Sequence, residues 1–241
     1  EEFKQLPEII DKKNEVPDFI KQLNNKFNLI KSISCDNIEL ILWQNGHKFR
    51  LNGSLHYEKS NNFRMEISSF LGKELDIGSN SSNFWYWSRR DKSPGLHYAS
   101  HDDLNKTRLK TPFNPFFLRS TLGISELEIE NCKIVENSNN FMLCYKKLNA
   151  SDESINFYVF ISKNRNQIDS YAITDFGGKP VASCEIQQYN GDIPFKILYT
   201  WNEENRVMLM QMNNATLNNS IDSKKWSMPN YKPITNMAES D

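Results

Sequence analysis

Residues 63–88, FRMEISSFLGKELDIGSNSSNFWYWS, decide how this chain is read. Phe63, Met65 and Ile67 alternate with Arg64 and Glu66, the period-two pattern of a strand with one face buried and the other wet. The stretch then continues as turn, strand, polar turn and strand, which predicts three antiparallel strands of a half-buried sheet. Its first turn is unusual, because Phe70 and Leu71 stand directly before Gly72, where a soluble hairpin places polar residues. The second turn, SNSSN, follows the ordinary rule, and the strand after it carries Phe84, Trp85, Tyr86 and Trp87 in a row. Two of those rings must face each side of the sheet, so neither face is purely polar there.

Outward from this stretch the same periods recur. Upstream, Ile38, Leu40 and Leu42 alternate with Glu39 and Ile41 as far as Asn45-Gly46, and Phe49, Leu51, Leu55 and Tyr57 line the return. Asn-Gly between two alternating runs is the strongest short-range hairpin signal, and Gly53 marks a bend or bulge in the second run. Before them, Val16, Ile20, Leu23, Phe27 and Ile30 recur at helical spacing behind Pro17, predicting one long amphipathic helix. Downstream, a strand is expected over 96–101. A second, short helix is signposted by Asn114 as N-cap, Pro115, the apolar Phe116, Phe117, Leu118 and Leu122, and Gly123 as its stop. Strands then follow over 126–135, 141–148, 155–162, 168–176, 180–189, 193–201 and 206–212. No long linker and no repeat divides the chain, so a single domain over 1–241 is expected, with tails at 1–15 and 230–241. Strand runs joined by short turns, with the helices set apart, make the class α+β.

Composition narrows the function. Charged residues make up 24% of the chain and the net charge is −1, which lacks the basic excess of a nucleic-acid partner. No apolar run reaches the ~18 residues of a membrane-spanning helix, and the opening EEFKQLPEII has neither the basic nor the apolar region of a signal peptide. The chain has no G-x-S-x-G, G-x-G-x-x-G, G-x-x-x-x-G-K or H-E-x-x-H. His97, His101, Asp102 and Asp103 cluster locally. On a strand, however, the two histidines stand about 13 Å apart, too far for one zinc ion with bonds of about 2 Å. Neither a metal nor a cofactor is expected. Cys132 and Cys144 lie equidistant from Ser138 in the turn ENSNN. A symmetric hairpin would set them opposite one another, either as a cross-strand disulfide or as two small buried residues, and a one-residue shift of register would remove the pairing. Finally, 12% of the residues are aromatic while only 38% are hydrophobic, so ring supplies much of the apolar volume. One long and one short helix must cover the inner face of about ten strands. Either the rings fill that face as core, or an apolar cavity remains with Met208, Met210 and Met212 as adaptable lining.

The order of elements and these residues together resemble the periplasmic lipoprotein carrier and outer-membrane lipoprotein receptor family, the LolA/LolB type. The resemblance runs from the helix at Val16 through the Asn45-Gly46 hairpin, residues 53–57, and Phe63, Met65 and Ile67 to the helix at Pro115. It is closest to the receptor branch at Phe70, Leu71 and Gly72, where that branch carries an apolar residue on a protruding loop. The strand Phe84 to Trp87 is similar to one of the carrier's, and Trp226, Met228 and Pro229 are similar to the family's late aromatic and proline segment. Ser60 departs from the arginine of the carrier, and the chain is longer than either family member. The resemblance implies an unclosed, strongly curved antiparallel barrel of about eleven strands, covered by one long N-terminal helix and a short helix. It implies a non-catalytic periplasmic protein that binds lipid or lipoprotein acyl chains, acting in lipoprotein localisation or outer-membrane lipid handling. The alternative is an envelope-sensing or structural module on the same fold. Phe63, Met65, Ile67, Trp85, Trp87, Phe116 and Phe117 are then expected to line the acyl-chain site, and Phe70 and Leu71 to touch a membrane or partner. The expected partners are acyl chains or lipoproteins and a membrane surface, for a monomer anchored to the outer membrane as a lipoprotein.

Overall fold

The alternating runs become neighbouring strands of one continuous sheet. A computed structural model describes residues 18–59, 61–90, 95–103, 115–122, 126–127, 129, 132–136, 139–148 and 154–237. Helix α1 (Asp18–Leu29) precedes β1 (Ser32–Gln44), β2 (His47–Glu58), β3 (Asn62–Ser69), β4 (Gly72–Ser79), β5 (Asn83–Ser88) and β6 (Leu96–Ser100). Helix α2 (Pro115–Ser120) leads to β7 (Cys132–Glu136), β8 (Asn140–Leu148), β9 (Ser154–Ser162), β10 (Gln167–Thr174), β11 (Pro180–Asn190), β12 (Ile193–Trp201) and β13 (Arg206–Asn213). Two short strands follow, β14 (Thr216–Leu217) and β15 (Ile234–Asn236).

The order across the sheet is β15-β6-β5-β4-β3-β2-β1-β13-β12-β11-β10-β9-β8-β7, with β14 beside β1. Two antiparallel meanders therefore join where β1 pairs with β13, and β15 adds to β6 in parallel. The outermost strands of that order do not pair, so the curved sheet stays unclosed. Fifteen strands among the described residues replace the expected eleven or so. The surplus includes β14 and β15, which are too short for alternation to register in the sequence.

Local sequence explains the turns. Asn45 and Gly46 both take left-handed backbone angles, φ 50° and 78°, as a tight hairpin between right-twisted strands requires. The register of β1 against β2 shifts between Cys35 and Ile38, opposite Gly53, where a Cβ would run into the carbonyl oxygen of Glu66 on β3. Cys132 stands opposite Tyr145, and Cys144 opposite Lys133. The hairpin is centred half a residue beyond Ser138, so the two cysteines face opposite sides of the sheet and both are free thiols.

The concave face holds the main core. Ile20, Leu23 and Phe27 of α1 and Phe117, Leu118 and Leu122 around α2 pack there with strand residues from both meanders. Each such side chain contributes about 1.5–3 kcal/mol on burial. Val16, Pro17, Asn114 and Gly123 lie outside the described residues. Helix α1 lies across one end of the sheet: Phe19 stacks on Phe141 at 5.4 Å, Lys26 pairs with Asp192 at 2.6 Å, and Lys59 Nζ donates to the Asn28 carbonyl at 3.2 Å. Buried Asn24 donates to the Leu127 carbonyl at 2.9 Å and accepts from its N–H at 2.8 Å, replacing a pair of backbone bonds. Asn218 finishes the helix, donating to the Leu29 carbonyl at 3.1 Å and accepting from the Lys31 N–H at 2.6 Å.

Candidate functional site

Strand parity sorts the candidate residues. Leu55, Met65, Ile77 and Tyr86 stand in register across β2 to β5, and Tyr57, Phe63, Ser79 and Phe84 form the adjacent concave row. Phe63, Met65 and Ile67 thus share the concave face, fully buried in the main core. Phe117 joins them from α2 and meets Tyr199 edge-on, with ring centroids 6.2 Å apart; the side chain of Phe116 lies outside the described residues. Thr121, just beyond α2, donates its hydroxyl to the backbone carbonyls of Phe117 and Leu118 and lies 3.2 Å from the Tyr199 hydroxyl. Met208, Met210 and Met212 face Leu42, Leu40 and Ile38 and belong to the same core.

Trp85 and Trp87 do not belong to that wall. Their register partners are Gly78 and Asp76, which places both on the convex face, while Phe84 and Tyr86 take the concave side. Four rings in succession carry no polar marker, so only the pairing with β4 sets their direction. Trp85 is fully buried against Gly78, where a Cβ would strike its ring. Trp87 stacks on Tyr231 at 4.6 Å.

Around these two rings the convex face carries a charged cluster that alternation alone did not reveal. Asp76 is fully buried. It accepts from Arg64 through Nε at 3.2 Å and Nη2 at 2.9 Å, from Tyr231 at 3.1 Å and from Trp85 Nε1 at 3.4 Å. Lys73 bridges Asp76 and Glu66. Burial works against the Glu66 carboxylate, but the Lys73 ammonium and the Arg64 guanidinium hold its pKa below the usual range. Burial opposes the Lys73 charge as well, and its bonds to Glu66 and Tyr231 nevertheless raise its pKa. The cluster anchors the C-terminal segment: Arg64 Nη1 donates to the Lys225 carbonyl at 3.1 Å, and Asn80 donates to the Trp226 carbonyl at 3.1 Å. Trp226 is buried, and Met228 and Pro229 are half-buried, so the late aromatic and proline segment covers the back of the sheet.

The tip between β3 and β4 is polar in its backbone bonds and apolar at its surface. Phe70 is 96% exposed and Leu71 60%. Arg89 Nη1 donates to the Leu71 carbonyl at 2.7 Å, Ser69 Oγ accepts from the Leu71 N–H at 3.0 Å, and the Ser69 hydroxyl donates to Glu74 at 2.6 Å. That hydroxyl holds the Glu74 carboxyl below its usual pKa, against burial, with help from Arg90. The two apolar side chains therefore project from a fixed turn.

The histidine cluster does not converge. His101 Nε2 lies 2.6 Å from the Asn80 carbonyl, Asp103 accepts from Ser100 at 2.8 Å, and Asp102 is exposed. No metal-sized group of ligands occurs among the described residues. A different histidine is the buried one. His56 Nδ1 lies 3.1 Å from the Ser34 hydroxyl and its Nε2 lies 3.4 Å from exposed Asp36. Burial, ahead of the nearby Lys225 charge, lowers its pKa. The register shift after Cys35 brings Asp36 to it, a displacement that only the bend expected near Gly53 foreshadows.

No protein-family profile matches the sequence, and no curated protein matches it either. Solved structures do resemble it in fold. A DUF1329 family protein from Desulfovibrio piger superposes with a TM-score of 0.56 at 8% identity, covering 87% of this chain and 95% of that one. A domain described as an outer membrane lipoprotein-sorting protein, from Vibrio parahaemolyticus, gives 0.56 at 12% identity, covering 86% and 94%. A LolA superfamily protein from Nitrosomonas europaea gives 0.53 at 8% identity, covering 87% and 97%. The chain has a LolA/LolB-like fold.

Proposed function

We propose that this chain acts as a single domain that binds acyl chains of lipids or lipoproteins on its concave face, without catalysis, at a membrane surface of the periplasm. The observation that carries this reading is the β3–β4 tip, which holds Phe70 and Leu71 in solvent on a braced turn. Exposing two large apolar side chains there costs the protein solubility with no return inside the fold, so a lipid surface is their natural complement. The fold supports the reading, since one of its neighbours is described as a lipoprotein-sorting domain. A monomer anchored to the outer membrane as a lipoprotein fits the same scheme.

The acyl-chain site is Phe63, Met65 and Ile67 with Phe116 and Phe117 of α2. The three strand residues are fully buried, so a chain reaches them only when a covering element yields. Helix α2 is suited to that, being six residues long and seated by Phe117 and Leu118. Each methylene taken up is favourable by about 0.8 kcal/mol. Replacing Leu71 by Glu should lower association with liposomes about tenfold or more, while the unfolding midpoint stays in place. Unchanged association would remove the membrane contact. Native mass spectrometry tests the ligand, with co-purified lipid as the expected result.

The tightly packed concave face favours one second reading, an envelope-sensing or structural module without a transported ligand. A protein that neither co-purifies with lipid nor takes up a fatty acyl probe would support it.

A further inference from the structure

The two ends of the sheet are chemically unlike. Gln44 pairs with His47 and Arg206, Arg206 with Trp201, Trp201 with Ala182, and Thr174 with Pro180. The turns at 45–46, 202–205 and 175–179 therefore leave the sheet at the same strand ends as the Phe70–Leu71 turn. The β1–β2 and β12–β13 turns stand level, the Phe70–Leu71 turn lies about four residues short of them, and the 175–179 turn about two residues beyond, an offset in one sense such as tilted barrel strands produce. These turns form one rim. The opposite rim is the one crossed by α1, through Phe19 on Phe141 and Lys26 on Asp192.

Five large apolar side chains are exposed among the described residues, and three of them, Phe70, Leu71 and Phe176, belong to the rim that α1 leaves open. Phe176 is 77% exposed. Its turn is braced like the other, with the Asp175 carboxylate accepting from the Lys179 N–H at 2.8 Å and Gly178 at φ 84°. The two tips are six strand spacings apart, about 29 Å along the curved sheet at ~4.8 Å per strand. They flank the concave face rather than crowding one side of it. Among the described residues the exposed charges between and beside them are mostly cationic: Lys48, Arg50, Arg89, Arg90 and Lys179, against exposed Glu203. Arg89 and Arg90 also pair with buried Glu74, and Lys179 with Glu203.

We infer that Phe176 is a second membrane contact, and that the whole open rim seats on an anionic bilayer with the concave face turned toward the lipid between the two tips. Aromatic and aliphatic tips enter the interface while the cations around them meet lipid phosphates, a pairing that neither feature supplies alone. The inference rests on the membrane reading of Phe70 and Leu71 and adds an orientation to it.

The test is co-sedimentation of the full chain with vesicles of phosphatidylethanolamine and phosphatidylglycerol, comparing Phe176→Ser, Phe176→Leu and Leu71→Glu. Phe176→Ser should lower the partition coefficient about tenfold, Phe176→Leu should restore most of it, and added salt should weaken binding in every case. Matching urea midpoints exclude unfolding as the cause. Full binding by Phe176→Ser alongside weakened binding by Leu71→Glu overturns the second contact and leaves the first standing. Full binding by both overturns both, even if either variant loses a protein partner. Binding that is indifferent to salt and to phosphatidylglycerol overturns the role of the cations.

Discussion

On the concave side of β3 to β5, Phe63, Met65, Ile67 and Ile77 are held by shape. One residue step away, on the convex side, Arg64, Glu66, Asp76 and Trp85 are held by directed bonds. The difference matters to the proposed function, in which the inner face admits an acyl chain. Apolar packing has no preferred bonding direction, so it can reform around an acyl chain at modest cost. A buried carboxylate with several donors cannot slide without losing them. The back of the sheet is therefore the rigid plate, further stiffened by the C-terminal segment that Arg64 and Asn80 hold down.

Breaking the plate should have the largest effect. Asp76→Asn takes the fully buried carboxylate from the Arg64 guanidinium and the Lys73 ammonium, leaving them only the Glu66 carboxylate, and should cost about 3–5 kcal/mol in urea unfolding. A loss under about 1 kcal/mol would mean the cluster decorates the fold rather than holding it. The concave face should respond differently. Met65→Ala should cost about 2–4 kcal/mol through the cavity it opens, and, unlike Asp76→Asn, it should change how much fatty acyl probe the folded protein retains. Equal probe retention in the two variants would erase the functional distinction between the faces.

The smallest effect is a dependence on pH confined to the convex side. His56 is buried there with Lys225 and Arg64 lowering its pKa and Asp36 and Glu66 raising it, and burial makes the net direction downward. The unfolded chain binds a proton below about pH 6.5, before the folded one does. Stability is thus complete above that value and falls as pH drops through the folded pKa. His56→Gln should flatten this slope in urea titrations between neutral and mildly acidic pH. An unchanged slope would assign it to other groups.

Much of this was legible in the residues. Asn45-Gly46 announced its hairpin because only left-handed angles close a two-residue turn, and those two residues adopt them cheaply. Phe70 and Leu71 were visible because greasy residues at a turn violate the usual composition, and the structure leaves them exposed. The parity of Trp85 and Trp87 was not legible, since a run of four rings reads the same in either register. Nor was the Cys132–Cys144 offset, which a half-residue shift in the hairpin centre decides.

Alternation, turn chemistry and helical spacing are local properties, and by themselves they determined the strands of residues 32–100 and 140–213, helices α1 and α2 and the apolar tip. Tertiary structure decided the rest: that β1 closes on β13, that the last segment crosses the back of the sheet to pair with β6, and that Phe70 and Phe176 share one rim. Those relations join residues more than a hundred positions apart. Their energies come from burial and directed bonds between elements, and no local pattern encodes which distant element supplies the partner.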